Sequence, residues 1–527
     1  MKRRDFLLLS AGMLAGCTLP PRLAIHRYAP GMAEGHALRD RKALPAPSAE
    51  LHTDVLILGS GIAGLTAGWR LAQQGYQDFL LLSGPEPHGN ASAAHLAGTD
   101  CPRGAHYLPI PGMAATQVRE LLAEMGVIER GAGTPAPYYD ERSLVHAPEE
   151  RLYQNGQWHS GLLQPGNADE NAQIKRFFAL VDQLKQKRGS DGKRIFEIPS
   201  ALASQDPQWR ALDRITFDAW LDREGYTSPQ LRWYLDYACR DDFGATSART
   251  SAWAGLHYFC SRDGRAANAD NDAVLTWPGG LNPLARYMQQ RIGAARALPG
   301  LAARVSERQG KVETLVWQPQ QQRMLRIHAR RVICAMPLHV AIHVVEGMGA
   351  LGFDAQTHMP PHAPWLVSNF AFDHFPSEAH GVPLAWDNVV YGSRSLGYVV
   401  ATHQLIRAAR PEQTVFTAYH ALADNTPEAA RRWLQQASDD DLYQLAATDL
   451  AAVYGWKLWQ NAAQVEITVR GHAMASPTPG FLSNTGLAAL RACDGPIQFA
   501  HSDLSGFSIF EEAAWWGDAA ARRILRA

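Results

Sequence analysis

One passage near the N-terminus limits what this chain can fold into more than any other. Thr53-Asp54-Val55-Leu56-Ile57-Leu58 is a short apolar run that predicts a strand buried on both faces. It passes directly into Gly59-Ser60-Gly61-Ile62-Ala63-Gly64 and then into a helical stretch that Gly75 ends. Asp78-Phe79-Leu80-Leu81-Leu82 predicts a second strand. Strand, glycine turn, helix and strand at this spacing form the βαβ unit that cradles a dinucleotide. Gly59 permits the tight turn, Gly61 lets the backbone approach a pyrophosphate, and Gly64 lets helix and strand pack closely. Ile62 and Ala63 open the helix, so their N–H groups and the positive dipole end face the phosphates. The fold class that follows is α/β, with a Rossmann-like parallel sheet.

Composition narrows the function. The chain has 527 residues, 46% hydrophobic and 19% charged, which excludes a disordered or fibrous protein. A net charge of −1 leaves no basic field for general nucleic-acid binding. Six cysteines make no disulfide framework; they are expected to be mostly buried and reduced. There is no CxxC pair, no HExxH and no Gly-x-Ser-x-Gly elbow, so metal and serine hydrolysis are poor readings and no metal site is expected.

The first residues read as an address. Arg3-Arg4-Asp5-Phe6-Leu7 resembles a twin-arginine export signal, and the apolar stretch that Pro20 stops is too short to span a bilayer. Leu14-Ala15-Gly16-Cys17 resembles a lipobox with Cys17 as the acyl acceptor. The expectation is a periplasmic protein held at the membrane only by an N-terminal lipid or anchor. Pro20 to about Glu50 reads as a tether without a core. Because the twin-arginine route carries folded proteins, the signal also suits a chain that loads a cofactor before export.

The end of the second strand departs from the dinucleotide pattern. An acid normally stands there to bind a ribose hydroxyl, and this chain has Ser83, with Glu86 three residues on. Further along, His88-Gly89-Asn90 follows the second strand. Lys311–Trp317 and Leu325–Ala335 read as strands, the latter ending in Ala335-Met336-Pro337. Ile497 to Asp503 reads as a buried strand ending in an acid, followed by a helix from about Ser508 to Leu525.

Together with Gly68, these passages resemble the flavin-containing amine oxidase and phytoene desaturase superfamily, in an exported form. The resemblance implies FAD as cofactor. It implies a discontinuous FAD-binding domain made of residues 51–110, 276–340 and 465–527. Residues 111–275 and 341–464 would then form a mixed α+β substrate domain. It places Gly89 and Asn90 where the family has Gly-Arg at the diphosphate, Val305 at the adenine, Asp503 at the ribityl or diphosphate part, and Phe510 in the first turn of the helix that points at the flavin. It brings Gly104-Ala105-His106-Tyr107 close to the flavin ring, with His106 able to orient substrate or move a proton. Trp386 and Tyr398 would face the ring from the substrate side. Arg240, Asp241 and Asp242 are read either as an amine site or as a helix cap and surface pair, and His257 either as a site residue or as part of a buried helix wall. The lysine that many amine oxidases hold near flavin N5 is missing from residues 360–375, which favours a dehydrogenase over an efficient oxidase. The expected function is FAD-dependent hydride removal from a small organic substrate, an amine or polyamine, with an unidentified electron acceptor. The alternatives are a desaturase or isomerase on an apolar substrate, or a flavin- or partner-binding protein without catalysis.

Overall fold

The computed structural model describes residues 23–40, 43–270, 273–377, 383–407, 409 and 411–526. The twin-arginine pair and Cys17 lie outside the described residues. Among the described residues no helix is long and apolar enough to cross a membrane.

The fingerprint strand spans Ala49–Leu58 and its helix spans Ile62–Gln73. Gly75 takes φ +74°, and Tyr76 N–H returns to Leu71 O at 3.0 Å, so the helix ends where a left-handed residue permits it. The strand pairs in parallel with Phe79–Leu82 on one side and Arg323–Cys334 on the other. Ile497–Phe499 pairs in parallel with the end of Arg323–Cys334. In register, Leu58 lies opposite Leu82 and Cys334, and Cys334 opposite Phe499. All four strands therefore end along one edge, which is where open parallel sheets bind ligands. Antiparallel strands Leu301–Arg308 and Lys311–Gln318 extend the sheet.

The final helix, Phe510–Arg526, lies on the fingerprint helix. Gly517 makes the close approach possible, because a Cβ there would sit 2.2 Å from Ala63 O. Buried Arg70 and Asp518 join the two helices by an ion pair.

A second sheet of eight strands forms the second domain, in which His362–Phe372 pairs with Thr414–Ala421 on one side and Ala462–Ala475 on the other. Helices Ala168–Gln186, Pro229–Phe243 and Ala252–Ser261 build a separate apolar core beside it. The N-terminal stretch is not a bare tether. Ala24–Tyr28 pairs in parallel with Ala462–Ala475 as the edge strand of this sheet, and Met32–Arg39 is helical. Ile25 and Arg27 share the inner face of this strand: Ile25 packs on the sheet core, and the Arg27 guanidinium reaches Leu434 O at 2.8 Å. Strand Ala462–Ala475 also belongs here and not to the dinucleotide domain, so the last return to that domain comes after residue 475. The five described cysteines are free, and four of them are buried.

Candidate active site

The cradle is built from the fingerprint outward. Gly59 adopts φ +107°, and a Cβ at Gly64 would overlap Gly59 O at 1.9 Å. Gly61 differs: a Cβ there would meet nothing within 4 Å, so the backbone faces open space. Gly61 caps the helix with no side-chain hydrogen bond. The first-turn N–H groups at Ile62 and Ala63 are thus left to a ligand. Gly89, at φ +55°, stands against Gly61, its Cβ position 3.4 Å from Gly61 Cα. This glycine-lined corner at the carboxyl edge of the sheet fits the diphosphate of a dinucleotide.

The charged anchors around it do not follow the resemblance. Ser83 is partly buried; its carbonyl accepts Ser60 Oγ–H at 2.7 Å and its hydroxyl points to Gly84 O at 3.4 Å. Glu86 holds Arg470 through both oxygens at 2.8 and 2.9 Å and accepts the Ser92 hydroxyl at 2.5 Å, so it is engaged elsewhere. Asn90 is exposed, and its amide donates to Ala473 O at 2.7 Å. The Val305 side chain is buried and its carbonyl accepts Glu346 N–H at 2.9 Å. Asp503 is buried at the end of its strand. One oxygen accepts Leu338 N–H at 2.9 Å and lies 3.0 Å from His362 Nε2, while His501 Nδ1 is 3.2 Å from the other. These histidines hold the Asp503 carboxyl well below the ordinary range against the cost of burial. Phe510 opens the final helix and is buried.

A second cluster lies between the domains. Gly104 and Gly280 let the backbone through: a Cβ on either would strike a carbonyl, of Asn90 at 2.3 Å or of Ala105 at 2.4 Å. His106 then lies 4.4 Å from the Tyr419 ring, 4.9 Å from Tyr107 and 5.5 Å from Trp386, centroid to centroid. Tyr419 is fixed by its hydroxyl, which donates to Gly104 O at 3.1 Å. Tyr107 donates to Asp241 at 3.2 Å. Burial lowers His106 to about 3, so its imidazole is neutral throughout the physiological range. It can orient a ligand without repelling a cation.

The acidic cluster divides. Arg240 is structural, bonded to Asp236 at 3.0 Å and to the Arg394 carbonyl at 3.0 Å. Asp242 pairs with Arg262, which stacks over Tyr258 at 4.0 Å and borders a cavity of about 490 Å3 lined also by Met113, Asp182 and Lys185. Asp241 faces Tyr107 and has no ion-pair partner among the described residues; nor has Asp387, next to Trp386. Burial first, then the Asp242 charge, pushes Asp241 up to about 6. Burial, Asp241 and Glu150 push Asp387 well above its ordinary range. Glu511, in the first turn of the final helix, is pushed by burial up to about 7.

Two expected residues lie elsewhere. Tyr398 is fully buried on the opposite face of the sheet, stacked on Phe416 at 5.3 Å and bonded to the Tyr454 hydroxyl at 3.1 Å. Strand parity explains this: Tyr398 and Val400 enter one core while Val399 enters the other. His257 is a wall residue, stacked on Trp253 at 4.7 Å and bonded to Glu197 O at 2.9 Å.

With this geometry in hand, the similarities are specific. Residues 57–125 match the NAD(P)-binding Rossmann-like domain family. No curated protein sequence matches the chain. Putrescine oxidase bound to putrescine superposes with TM-score 0.64 and 15% identity, over 91% of this chain and 100% of that one. Cyclohexylamine oxidase from Brevibacterium oxydans IH-35A gives TM-score 0.62 and 19% identity, over 90% and 99%. The chain has the amine oxidase fold. A CLA-producing fatty acid isomerase from P. acnes shares it less closely, with TM-score 0.57 and 15% identity over 89% and 98%. The whole chain from about the edge strand onward is therefore one two-domain architecture, with the cradle in one domain and the aromatic cluster where the two meet.

Proposed function

We propose that this protein is an FAD-dependent oxidoreductase that binds an amine as its cation, passes the ammonium proton to the Asp241–Asp387 acid pair, and removes a hydride from the α-carbon of the neutral amine. The carrying observation is the unneutralised carboxyl pair Asp241 and Asp387 beside the rings of His106, Tyr107, Trp386 and Tyr419. Two acids whose pKa values rise through burial and neighbouring carboxylates, Asp242 for Asp241 and Asp241 for Asp387, form a site that a cation relieves. Aromatic faces add attraction for an ammonium group, and the neutral His106 does not oppose it. A fatty acid would bring a carboxylate against the same two acids, which disfavours the isomerase alternative. FAD, when bound, supplies the hydride acceptor. The chain binds and orients: Gly61, Ile62 and Ala63 face the diphosphate, Gly104 and Ala105 pass close to the ring site, and Tyr107 holds the Asp241 oxygen. Because strand His362–Phe372 carries no lysine, we assign electron transfer to an acceptor other than oxygen.

The test is the visible spectrum of the purified full chain, followed by anaerobic addition of primary amines, diamines, fatty acids and polyenes. Flavin bands that bleach with amines alone support the reading. Bleaching with polyenes or fatty acids replaces it with the desaturase alternative. A protein that stays colourless after incubation with FAD removes it.

A further inference from the structure

The cradle lacks the positive charge that a diphosphate calls for, since Asn90 stands where an arginine is expected. The structure places a histidine cluster next to it. Asn90 bonds the carbonyl of Ala473 at 2.7 Å, and the preceding residue, His472, is exposed on its outer side while its ring packs inward. The His472 ring stacks on His339 at 4.2 Å with an interplanar angle of 14°. His339 lies two residues beyond Pro337, at the carboxyl edge of the parallel sheet. Its Nδ1 is buried without a hydrogen-bond partner. The His362 ring stands 5.1 Å from His339.

We infer that the stacked His339–His472 pair supplies the cationic contact to the cofactor diphosphate in place of the missing arginine. This rests on FAD being the cofactor. The groups facing the pair are few, and most are already matched. His362 and His501 flank Asp503. Arg431 pairs with Glu428 at 2.8 Å, on a helix packed against the same strand. Two carboxylates act on the pair: Asp503, held by its own two histidines, on both rings, and Glu428, held by Arg431, on His472. Among the described residues no group of three or more His, Cys, Asp or Glu side chains is arranged to hold a metal ion, and the face-to-face stacking of the rings agrees.

The electrostatics fix the sign. Burial, then Arg431 and His362, lowers His472 to about 4, and burial with the neighbouring histidines holds His339 well below its ordinary value. The pair is neutral at pH 7 with no anion beside it. An adjacent diphosphate favours the charged form, so binding takes up a proton and affinity rises as pH falls.

The experiment measures the FAD dissociation constant of the deflavinated full chain by flavin fluorescence between pH 8 and pH 5.5. The wild-type protein is expected to bind about tenfold more tightly at the acid end, the linkage of one proton taken up over the last pH unit of that range. His472→Gln, at an exposed position that leaves the core intact, is expected to flatten the profile. Asn90→Arg, also exposed, is expected to bind more tightly at pH 8 and to lose the pH dependence. A flat wild-type profile overturns the inference while leaving FAD binding intact. A slope that survives in both His472→Gln and His339→Gln overturns it equally. Absence of FAD binding at every pH overturns the FAD reading itself.

Discussion

Asp241 is a residue at odds with its surroundings, and that makes its role testable. Its ordinary pKa near 3.8 is raised to about 6 in the folded chain. Below the unfolded value both states are protonated and the group contributes nothing. Above it the unfolded chain gains by ionising while the folded one resists. The destabilisation therefore grows between about pH 4 and pH 6 and persists above. Asp241→Asn is expected to raise stability by about 1–3 kcal/mol at pH 7.5 and to leave it unchanged at pH 3.5, read from thermal unfolding. The same variant is expected to weaken amine binding at least about tenfold, as loss of a charge-assisted partner does. A variant that is neither stabilised nor impaired shows that Asp241 is a wall residue. Residues of this kind were half legible in the sequence. His106, Tyr107 and Trp386 do meet, because a Gly-Ala turn and a strand end bring them together. Tyr419 was invisible, lying in a strand buried on both faces with no motif. Tyr398 was misplaced because a single-residue change of parity along a strand reverses its face.

At the scale of elements, the fingerprint was fully legible because glycine stereochemistry leaves few alternatives. The joining of the final helix to the fingerprint helix was not, because it depends on a contact between residues more than four hundred positions apart. Arg70 and Asp518 carry that contact, with side chains 5% and 8% exposed. Arg70→Met removes the cross-helix partner and leaves Asp518 only Arg522 of its own helix, and a loss of about 1–3 kcal/mol is expected. Asp518→Leu added to Arg70→Met removes the half-matched charge and is expected to recover most of that loss. Denaturant unfolding of the two single variants and the double variant measures the coupling. Additive losses in the double variant show that packing at Gly517 and Ala63, and not the ion pair, holds the helices together. The edge strand Ala24–Tyr28 was missed for a similar reason. Five residues with one alternating apolar position look like linker until a long partner strand is present to pair with them.

At the scale of the whole molecule, two sheets meet with the cofactor cradle in one and the wall of the aromatic cluster in the other. Electron flow out of the site depends on what the wall offers. Strand His362–Phe372 runs His-Ala-Pro-Trp-Leu-Val-Ser-Asn-Phe-Ala-Phe, every residue is buried, and none is a lysine. Trp365 Nε1 and Ser368 Oγ on this strand are buried without partners, so the strand carries polar atoms but no cation. The conversion of oxygen to superoxide develops negative charge beside the flavin, and a fixed positive group there lowers its cost. Without one, the reduced protein is expected to react with oxygen at least about a hundredfold more slowly than with an artificial one-electron acceptor, a barrier difference near 2.7 kcal/mol. Stopped-flow reoxidation of the amine-reduced protein, in air-saturated buffer and then with a ferricenium salt, reads the ratio directly. A ratio near one makes the protein an oxidase and assigns oxygen activation to another positive group, with the His339–His472 pair the first to be tested by the same measurement across pH.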